Sequence, residues 1–324
     1  MSEADIILLR SRLRERRQKV ESLRAPAPAP DQMLALLREI DAALERMDRG
    51  TFGRCETCHE SVEEDRLMAD PLVTLCLDHL NQDQRRALEQ DLDMATRIQA
   101  KLLPARLTRA DGWEASYHYE PAGQVSGDFC DLVSADGSLF FVTGDVSGKG
   151  VAASLLMSHL HAILRSLLSV GMPLPELLER ANRLFCESTL SASYATLACG
   201  RAAGGGEIEL CNAAHCPPFA VCGGRPAAVE TSGLPLGMFC HGSYPAQRLQ
   251  LGPGDFLFLY TDGLTEATNP QGEEYGIERL SHVLAECQGL PAAELVTTCL
   301  DDLHGFLSGG SNKDDLTIVV VCRG

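Results

Sequence analysis

The sequence predicts an α+β protein, and three features of the chain lead to this fold class. Apolar runs typical of buried strands occupy the chain beyond Gly112 and are punctuated by Gly and Pro. Helical stretches separate these runs in blocks, which favours α+β layers over a doubly wound parallel sheet. Before Gly112, segments with helical periodicity surround a compact cluster of Cys and His.

Composition places the chain among globular proteins and limits its partners. Its 324 residues, 45% of them hydrophobic, predict one large domain with a substantial core and a smaller one. The formal net charge of −17 argues against a broad nucleic-acid interface or an anionic membrane surface. The N-terminus has the pattern of neither a signal peptide nor a membrane span, and thirteen cysteines without an export signal indicate a reducing cytoplasm.

Two helices are predicted at the start of the chain. Residues 1–24 are rich in Leu, Arg and Glu, and the prolines of residues 25–30 favour an extended break after them. The second helix is capped by Asp31, ends at Gly50 and has apolar residues at helical spacing: Met33, Leu37, Ile40, Leu44 and Met47. We expect a helical hairpin with one apolar seam.

A Cys/His cluster follows the hairpin. Cys55 and Cys58 are two residues apart, seventeen residues intervene, and Cys76 and His79 repeat the two-residue spacing. Four ligands in two knuckles predict a tetrahedral structural Zn²⁺ site. His59 is the alternative to His79 as the fourth ligand.

A third helix is predicted from about Asn81 to Leu103, before Pro104. Its apolar residues lie three and four apart on one face: Leu88, Leu92, Ala95, Ile98 and Leu102. So short a stripe favours simple packing, with a coiled coil as the alternative.

Residues 144–150, GDVSGKG, have the look of a phosphate-binding loop. The P-loop pattern requires Gly at position 143 and Ser or Thr after Lys149, whereas this chain has Thr143 and Gly150. The ATP-binding interpretation is therefore rejected.

Aspartates lie at the ends of predicted buried strands. Asp145 and Asp262 each follow one, Asp314 and Asp315 precede another, and the segment SGDFCD adds Asp128 and Asp131. If the last strand runs antiparallel to the other two, these acidic groups meet at one sheet edge. Clustered carboxylates repel one another unless a cation neutralises them. Oxygen ligands suit Mg²⁺ or Mn²⁺, and two such ions can acidify a shared water and polarise a phosphoryl group.

Six ordered motifs resemble the SpoIIE/RsbU-type branch of the metal-dependent (PPM) serine/threonine phosphatases over roughly residues 96–324. These motifs are SGDFCD, GDVSGKGVAASLLM, NAAHCPP, LPLGM, LYTDGLTEATNPQGEEYG and NKDDLTIVVV. The resemblance implies an antiparallel β-sandwich of two sheets flanked by helices. It also implies a site for two Mn²⁺ or Mg²⁺ ions at the edge of the sandwich.

By matched position, the resemblance implies metal ligands, with Asp145 bridging both ions: Asp128, Asp145, the Val146 carbonyl, Asp262 and Asp314. Asp315 is the alternative to Asp314, because the alignment can shift by one residue here. The four aspartates are the expected catalytic residues. Ser126 stands where the family usually has a glycine. His215 is expected to be structural, with contact to the substrate region as the alternative.

The stretch ALERMDRGTFGRCETCHESVEEDRLMADPLVTLCLDHL, within about residues 31–80, is similar to the zinc finger of the DksA/TraR family. His79 stands where that family commonly has a fourth cysteine. Such fingers belong to proteins that reach into RNA polymerase with an acidic-tipped coiled coil. The hairpin here is short and has an Ala-Pro tip, which favours a regulatory or dimerisation module over RNA polymerase binding.

These inferences predict a cytoplasmic phosphoprotein phosphatase with three parts. Residues 1–80 form the hairpin and finger, residues 81–104 a linker helix and residues 105–324 the phosphatase domain. The family resemblance implies hydrolysis of phosphoserine or phosphothreonine, a phosphorylated anti-anti-sigma (STAS-domain) protein as substrate, and a homodimer. The alternatives are a catalytically inactive phosphatase-fold binding module and a transcription-machinery binder led by the finger.

Overall fold

The computed structural model describes residues 3–22, 31–79, 82–135, 137–189, 193–308 and 314–324. The chain divides into two compact units, Met1–Asp93 and Met94–Gly324.

The first unit contains the predicted helical pair and the finger. Helices α1 (Glu3–Ser22) and α2 (Asp31–Asp48) pack against each other. Their shared core confirms the single apolar seam: Leu9, Leu13, Ile40, Ala43 and Met47. The Pro-rich tip at residues 25–30 lies outside the described residues. The finger follows α2 and contains the short helix α3 (Glu64–Ala69) and the 3₁₀ turn Leu77–His79.

Helix α4 (Gln82–Leu102) is the predicted third helix, but its buried face differs from the expected stripe. Ile98 is 55% exposed and the neighbouring Gln99 is only 5% exposed. The apolar stripe was therefore wrong at Ile98. The Gln99 amide donates one hydrogen bond to backbone and accepts another from backbone, which lowers the cost of burying it.

The second unit contains two antiparallel sheets within the described residues. In chain order the strands are β1 (Leu107–Ala110), β2 (Trp113–Glu120), β3 (Phe129–Ala135), β4 (Ser138–Val146), β5 (Ala195–Ala202), β6 (Glu207–Ala213), β7 (Phe219–Cys222), β8 (Arg225–Ala228), β9 (Gln247–Gln250), β10 (Phe256–Tyr260) and β11 (Leu316–Arg323). One sheet has the order β1-β2-β11-β10-β7-β8 and the other β3-β4-β5-β6-β9.

Helices cover the outer face of each sheet. Helices α5 (Gly150–Leu168) and α6 (Leu174–Ser188) share a core with β4 and β5, while α8 (Gly276–Glu286) and α9 (Ala292–Leu307) share one with β10 and β11. The short helix α7 (Asp262–Thr265) follows β10 directly. A third core fills the space between the sheets and includes Trp113, Phe141, Leu257 and Val319. The predicted α+β sandwich with flanking helices is therefore confirmed.

Among the described helices, α5 alone has the length and composition to cross a membrane. Its apolar face is buried in the second unit through Met157, Leu160 and Leu164. Packing within the domain therefore accounts for its apolar composition.

Candidate active site

The predicted aspartates lie where strands of both sheets end. Asp145 is near the end of β4, and Asp128 immediately precedes β3, its antiparallel neighbour. Asp262 follows β10, and Asp314 precedes β11, which pairs antiparallel with β10 as expected. The expectation of a single sheet edge was wrong, because β4 lies in the other sheet. Antiparallel pairing thus brings the end of one strand to the start of its neighbour in both sheets.

Asp128 connects the two sheets through one carboxylate oxygen. Thr261 and Thr317 each donate a hydroxyl hydrogen bond of 2.7 Å to its Oδ2. Asp128 is only 2% exposed. Burial and the charge of Asp145 raise the pKa of Asp128 well above its usual value, although the two hydroxyls oppose this shift.

Asp145 is surrounded by other acidic groups. Burial, together with the charges of Asp262, Asp314 and Asp315, raises the pKa of Asp145 to about 7. Burial and Asp314 likewise raise the pKa of Asp262. The carboxylates therefore destabilise one another's charged forms, and a divalent cation would relieve this repulsion. This electrostatic environment fits a metal site.

Asp314 and Asp315 have different partners although they are neighbours. Both oxygens of Asp315 accept backbone hydrogen bonds, from Ala122 N at 2.7 Å and from Gly127 N at 3.0 Å. Asp314 Oδ2 accepts a bond of 2.9 Å from Lys149 Nζ, and its side chain is 41% exposed. Asp315 therefore anchors the loop before β3, whereas Asp314 faces the solvent-accessible side of the cluster.

Gly127 lies where that loop passes close to β4. A Cβ atom there would meet the Val146 carbonyl oxygen at 2.8 Å and Asp145 Oδ1 at 3.3 Å. A side chain would therefore displace two of the expected metal ligands. The preceding Ser126 is buried, and its hydroxyl accepts a bond of 2.9 Å from Asp128 N. The serine thus supports the aspartate in place of the usual glycine.

The end of α4 supports the same loop, which the sequence did not predict. Gln99 Nε2 donates to Ser126 O at 2.8 Å, and Gln99 Oε1 accepts from Ser126 N at 3.1 Å. Thr96 Oγ1 also donates to Gln124 O at 2.7 Å. These residues position the segment that leads into Asp128. Because α4 is rich in polar residues throughout, its sequence contains no signal that singles out Gln99 or Thr96.

Two further candidates from the sequence lie outside the acidic cluster. Asp131 is buried and pairs with Arg165, whose Nη2 donates to Asp131 Oδ1 at 2.7 Å. His215 is buried, its Nδ1 lies 2.9 Å from Thr196 Oγ1, and burial lowers its pKa to about 4. A buried histidine held in this way agrees with a structural role, which stays a prediction.

The predicted zinc ligands come together in the finger. Ligand atoms of Cys55, Cys58, Cys76 and His79 all lie within 4.8 Å of one another, the one group this tight among the described residues. Cys76 Sγ lies 3.8 Å from Cys58 Sγ and 3.2 Å from His79 Nδ1. His59 is exposed, has a left-handed φ of 62° and is not part of the group. Its conformation suits the tight turn after the first pair of cysteines.

Two family models match this chain. Residues 135–324 match the stage II sporulation protein E (SpoIIE) model, and residues 50–78 match the prokaryotic dksA/traR C4-type zinc finger model. Protein IcfG of Synechocystis is 28% identical over 263 residues, covering 72% of this chain and 41% of IcfG. The phosphoserine phosphatase RsbU of Bacillus subtilis is 25% identical over 244 residues, covering 74% of this chain and 72% of RsbU. This chain thus spans less than half the length of IcfG.

Solved structures share the fold of the second unit. The RsbU and RsbW domains of Rv1364c from Mycobacterium tuberculosis align with a TM-score of 0.58 and 29% identity, covering 66% of this chain and 60% of that one. The SiaA-PP2C domain of Pseudomonas aeruginosa aligns with a TM-score of 0.64 and 20% identity, covering 74% of this chain and 98% of that domain. The sandwich is therefore of the PP2C type.

For the finger, we expect one zinc ion per chain, measured by elemental analysis of metal-replete protein. Cys55→Ser should lose this ion and the hydrogen-exchange protection of residues 50–79, because the local core is small. Cys222→Ser, which changes an exposed cysteine in the second unit, is the control and should retain both. Protein free of zinc after preparation in zinc would contradict the assignment.

Proposed function

Because this chain belongs to the SpoIIE family, we propose that it is a metal-dependent phosphatase that hydrolyses phosphoserine and phosphothreonine in proteins. The observation that carries the proposal is the group of mutually repelling carboxylates at the edge of a PP2C-type sandwich. The similarity to RsbU, a phosphoserine phosphatase, supports the same reaction. A fold kept only for binding would gain nothing from such repulsion.

Asp145 is the proposed bridging ligand, because, besides burial, its charge raises the pKa of Asp128, while burial and the charges of Asp262, Asp314 and Asp315 raise its own pKa. The Val146 carbonyl is proposed to assist it. When bound, two Mn²⁺ or Mg²⁺ ions would supply an acidified water and a Lewis acid for the phosphoryl oxygens. Hydrolysis by such a water would form a bond from its oxygen to phosphorus and break the phosphorus–oxygen bond to the side chain. The proton lost by the water would be taken up by the departing serine or threonine oxygen.

We assign the ligand of the last motif to Asp314 rather than Asp315. Both carboxylate oxygens of Asp315 already accept hydrogen bonds from backbone N–H groups. Asp314 Oδ1 accepts the backbone N–H of Asp315, and Asp314 Oδ2 needs only to exchange the ammonium group of Lys149, an exposed partner, for a metal ion. Exposed ion pairs of this kind contribute at most about 1 kcal/mol, so the exchange costs little.

The proposed substrate is a phosphorylated STAS-domain anti-anti-sigma protein of a partner-switching pathway in the cytoplasm. The similarity to RsbU and to a chain that contains both RsbU and RsbW domains supports this class. The test compares Mn²⁺-dependent phosphate release from a phosphorylated STAS protein with release from an unrelated phosphoprotein. Equal kcat/KM for the two proteins would contradict the substrate class while leaving the phosphatase activity in place.

Helix α4 is proposed to regulate the site and to join two copies of the chain. Gln99 and Thr96 hold the loop before Asp128, so a shift of the helix would move a proposed metal ligand. Met94 and Ile98, one helical turn apart, are 57% and 55% exposed. This exposed apolar pair suits the same helix of a second copy.

Replacing the bridging carboxylate should abolish turnover. We expect Asp145→Asn to lower kcat for an aryl phosphate by about 100-fold or more with Mn²⁺ present, because it removes charge between two cations. Lys149→Ala should lower kcat by less than about tenfold, since it loses only an exposed ion pair. Thermal unfolding of both variants checks that the fold is intact.

The opposite ranking would contradict the metal-site assignment. A large loss in Lys149→Ala with little change in Asp145→Asn would support phosphate binding by the GDVSGKG loop instead. Folded, metal-replete protein without activity on any phosphoester would favour the non-catalytic binding module.

The exposed pair on α4 gives the dimer a direct test. Met94→Asp combined with Ile98→Asp should yield monomers in light scattering and should change the Mn²⁺ concentration needed for half-maximal hydrolysis. Charges in an apolar contact are costly, whereas two exposed side chains can change without loss of the monomer's fold. Gln90→Asp with Ala100→Asp, at other exposed positions of α4, is the matched control. If neither mass nor Mn²⁺ dependence changes, α4 is a passive spacer.

A further inference from the structure

The structure contains a disulfide bond that the sequence did not predict. Cys186 and Cys240 are bonded across a sequence separation of 54 residues, and this is the one disulfide in the described part of the chain. Sequence spacing could not have identified the pair, because only the folded chain brings a helix end and a distant loop together.

We propose that Cys186 and Cys240 form a thiol–disulfide exchange site for low-molecular-weight thiols and disulfides. The bond fastens residues 229–246, here called the rim loop, to the last turn of α6. Reversible formation of this bond is proposed to set the mobility of the outer part of the rim loop beside the catalytic edge.

Accessibility separates this pair from the other cysteines of the second unit. Cys240 is exposed and Cys186 is half-buried. Most others are buried in the cores: Cys130, Cys199, Cys211, Cys287, Cys299 and Cys322. The Cα atoms of the pair lie 5.4 Å apart, within the normal range for a disulfide. Small thiols can therefore reach this bond while the domain stays folded. Exposed disulfides are the ones that exchange most readily with thiols.

The outer part of the rim loop has few other attachments. Leu236 and Tyr244 are both fully buried and fix its two ends. Between them, Asn182 Nδ2 donates to Phe239 O at 2.8 Å, and Gly237 N donates to Asn182 Oδ1 at 2.8 Å. Phe239 itself is 55% exposed, so burial holds it weakly. Reduction would leave residues 237–243 held mainly by one asparagine.

The rim loop is hydrogen-bonded to the strand beside the metal site. Leu236 and Ala195 exchange two backbone hydrogen bonds, of 2.9 and 2.8 Å. Ala195 lies opposite Val146 in the pairing of β5 with β4, and Thr196 lies opposite Asp145. Cys240 is thus four residues from Leu236, which is hydrogen-bonded to β5. Strand β5 in turn pairs with β4, the strand that carries Asp145.

The exchange step is balanced without any group from the protein beyond the two thiols. The Cys240 thiolate attacks one sulfur of a small disulfide, which forms a mixed disulfide and releases the first small thiol. The Cys186 thiolate then attacks the Cys240 sulfur, forms the intramolecular bond and releases the second small thiol. Two protein thiols are oxidised, and one small disulfide is reduced to two thiols.

The test equilibrates the native, full-length chain in glutathione buffers of graded redox potential. After acid quenching, denaturation and zinc chelation, alkylation should count eleven free thiols at the oxidising end and thirteen at the reducing end. Peptide mapping should assign the change to Cys186 and Cys240. Cys240→Ser should abolish the transition, whereas Cys222→Ser, the exposed but unpaired control, should retain it.

Hydrogen exchange tests the mechanical part of the proposal. Residues 237–243 should lose protection on reduction and in Cys240→Ser, while Leu236 and Tyr244 keep theirs. A bond that forms in no glutathione buffer, or that persists in excess reduced glutathione, would overturn the exchange site. Unchanged protection of residues 237–243 would overturn the loosening of the rim loop.

The effect on catalysis rests on the proposed phosphatase activity and is measured separately. Mn²⁺-dependent hydrolysis of an aryl phosphate should differ between the oxidised and reduced wild-type chain and should not respond to redox buffer in Cys240→Ser. Absence of hydrolysis in both states would count against the proposed function, and the thiol count would still decide the exchange site. Equal hydrolysis in both states would overturn the link between rim loop and catalytic edge.

Discussion

The carboxylate of Asp128 is the point on which the proposed catalytic edge depends, because it is a buried polar tie between two sheets whose shared core is apolar. Thr261 follows β10 and Thr317 lies in β11, both in the sheet that does not contain β3. Both hydroxyls donate to one oxygen of Asp128. A buried acidic group is costly to ionise, and a second carboxylate nearby increases this cost. The surrounding cores, with residues such as Phe141 and Leu257 fully buried between the sheets, must hold these groups in place against their repulsion.

Much of this arrangement could be predicted from the sequence, since it follows from local patterns. Apolar runs that end in aspartate predicted acidic residues at strand ends. The spacing of two cysteine and histidine pairs predicted the zinc finger, whose ligands are Cys55, Cys58, Cys76 and His79. The supporting contacts could not be predicted in this way. Thr317 lies 189 residues from Asp128 in the sequence, and Gln99 lies 27 residues from Ser126. Such bonds depend on the register and packing of the folded chain, which periodicity does not specify.

Burying Gln99 shows how polarity can reverse a prediction based on apolar spacing. On hydrophobicity alone, Ile98 belongs in the core and Gln99 in water. The backbone N–H and C=O of Ser126 would be unpaired in a buried loop, and the Gln99 amide satisfies both at once. Pairing these two buried groups outweighs the gain from burying one isoleucine side chain, which leaves Ile98 exposed on the helix. The same contact that rotates the helix face also connects α4 to the loop that carries Asp128.

Lys149 of the GDVSGKG loop provides too little positive charge to neutralise the acidic edge by itself. Lys149 is the cation that contacts Asp314, but its side chain is 65% exposed and it provides one charge. It does lower the pKa of Asp145, yet burial and three acidic neighbours still raise that pKa to about 7. One solvent-screened ammonium therefore leaves most of the repulsion in place. Two divalent ions would offset the charge of four aspartates, so the loop that resembles a phosphate-binding motif is better interpreted as part of the proposed metal site.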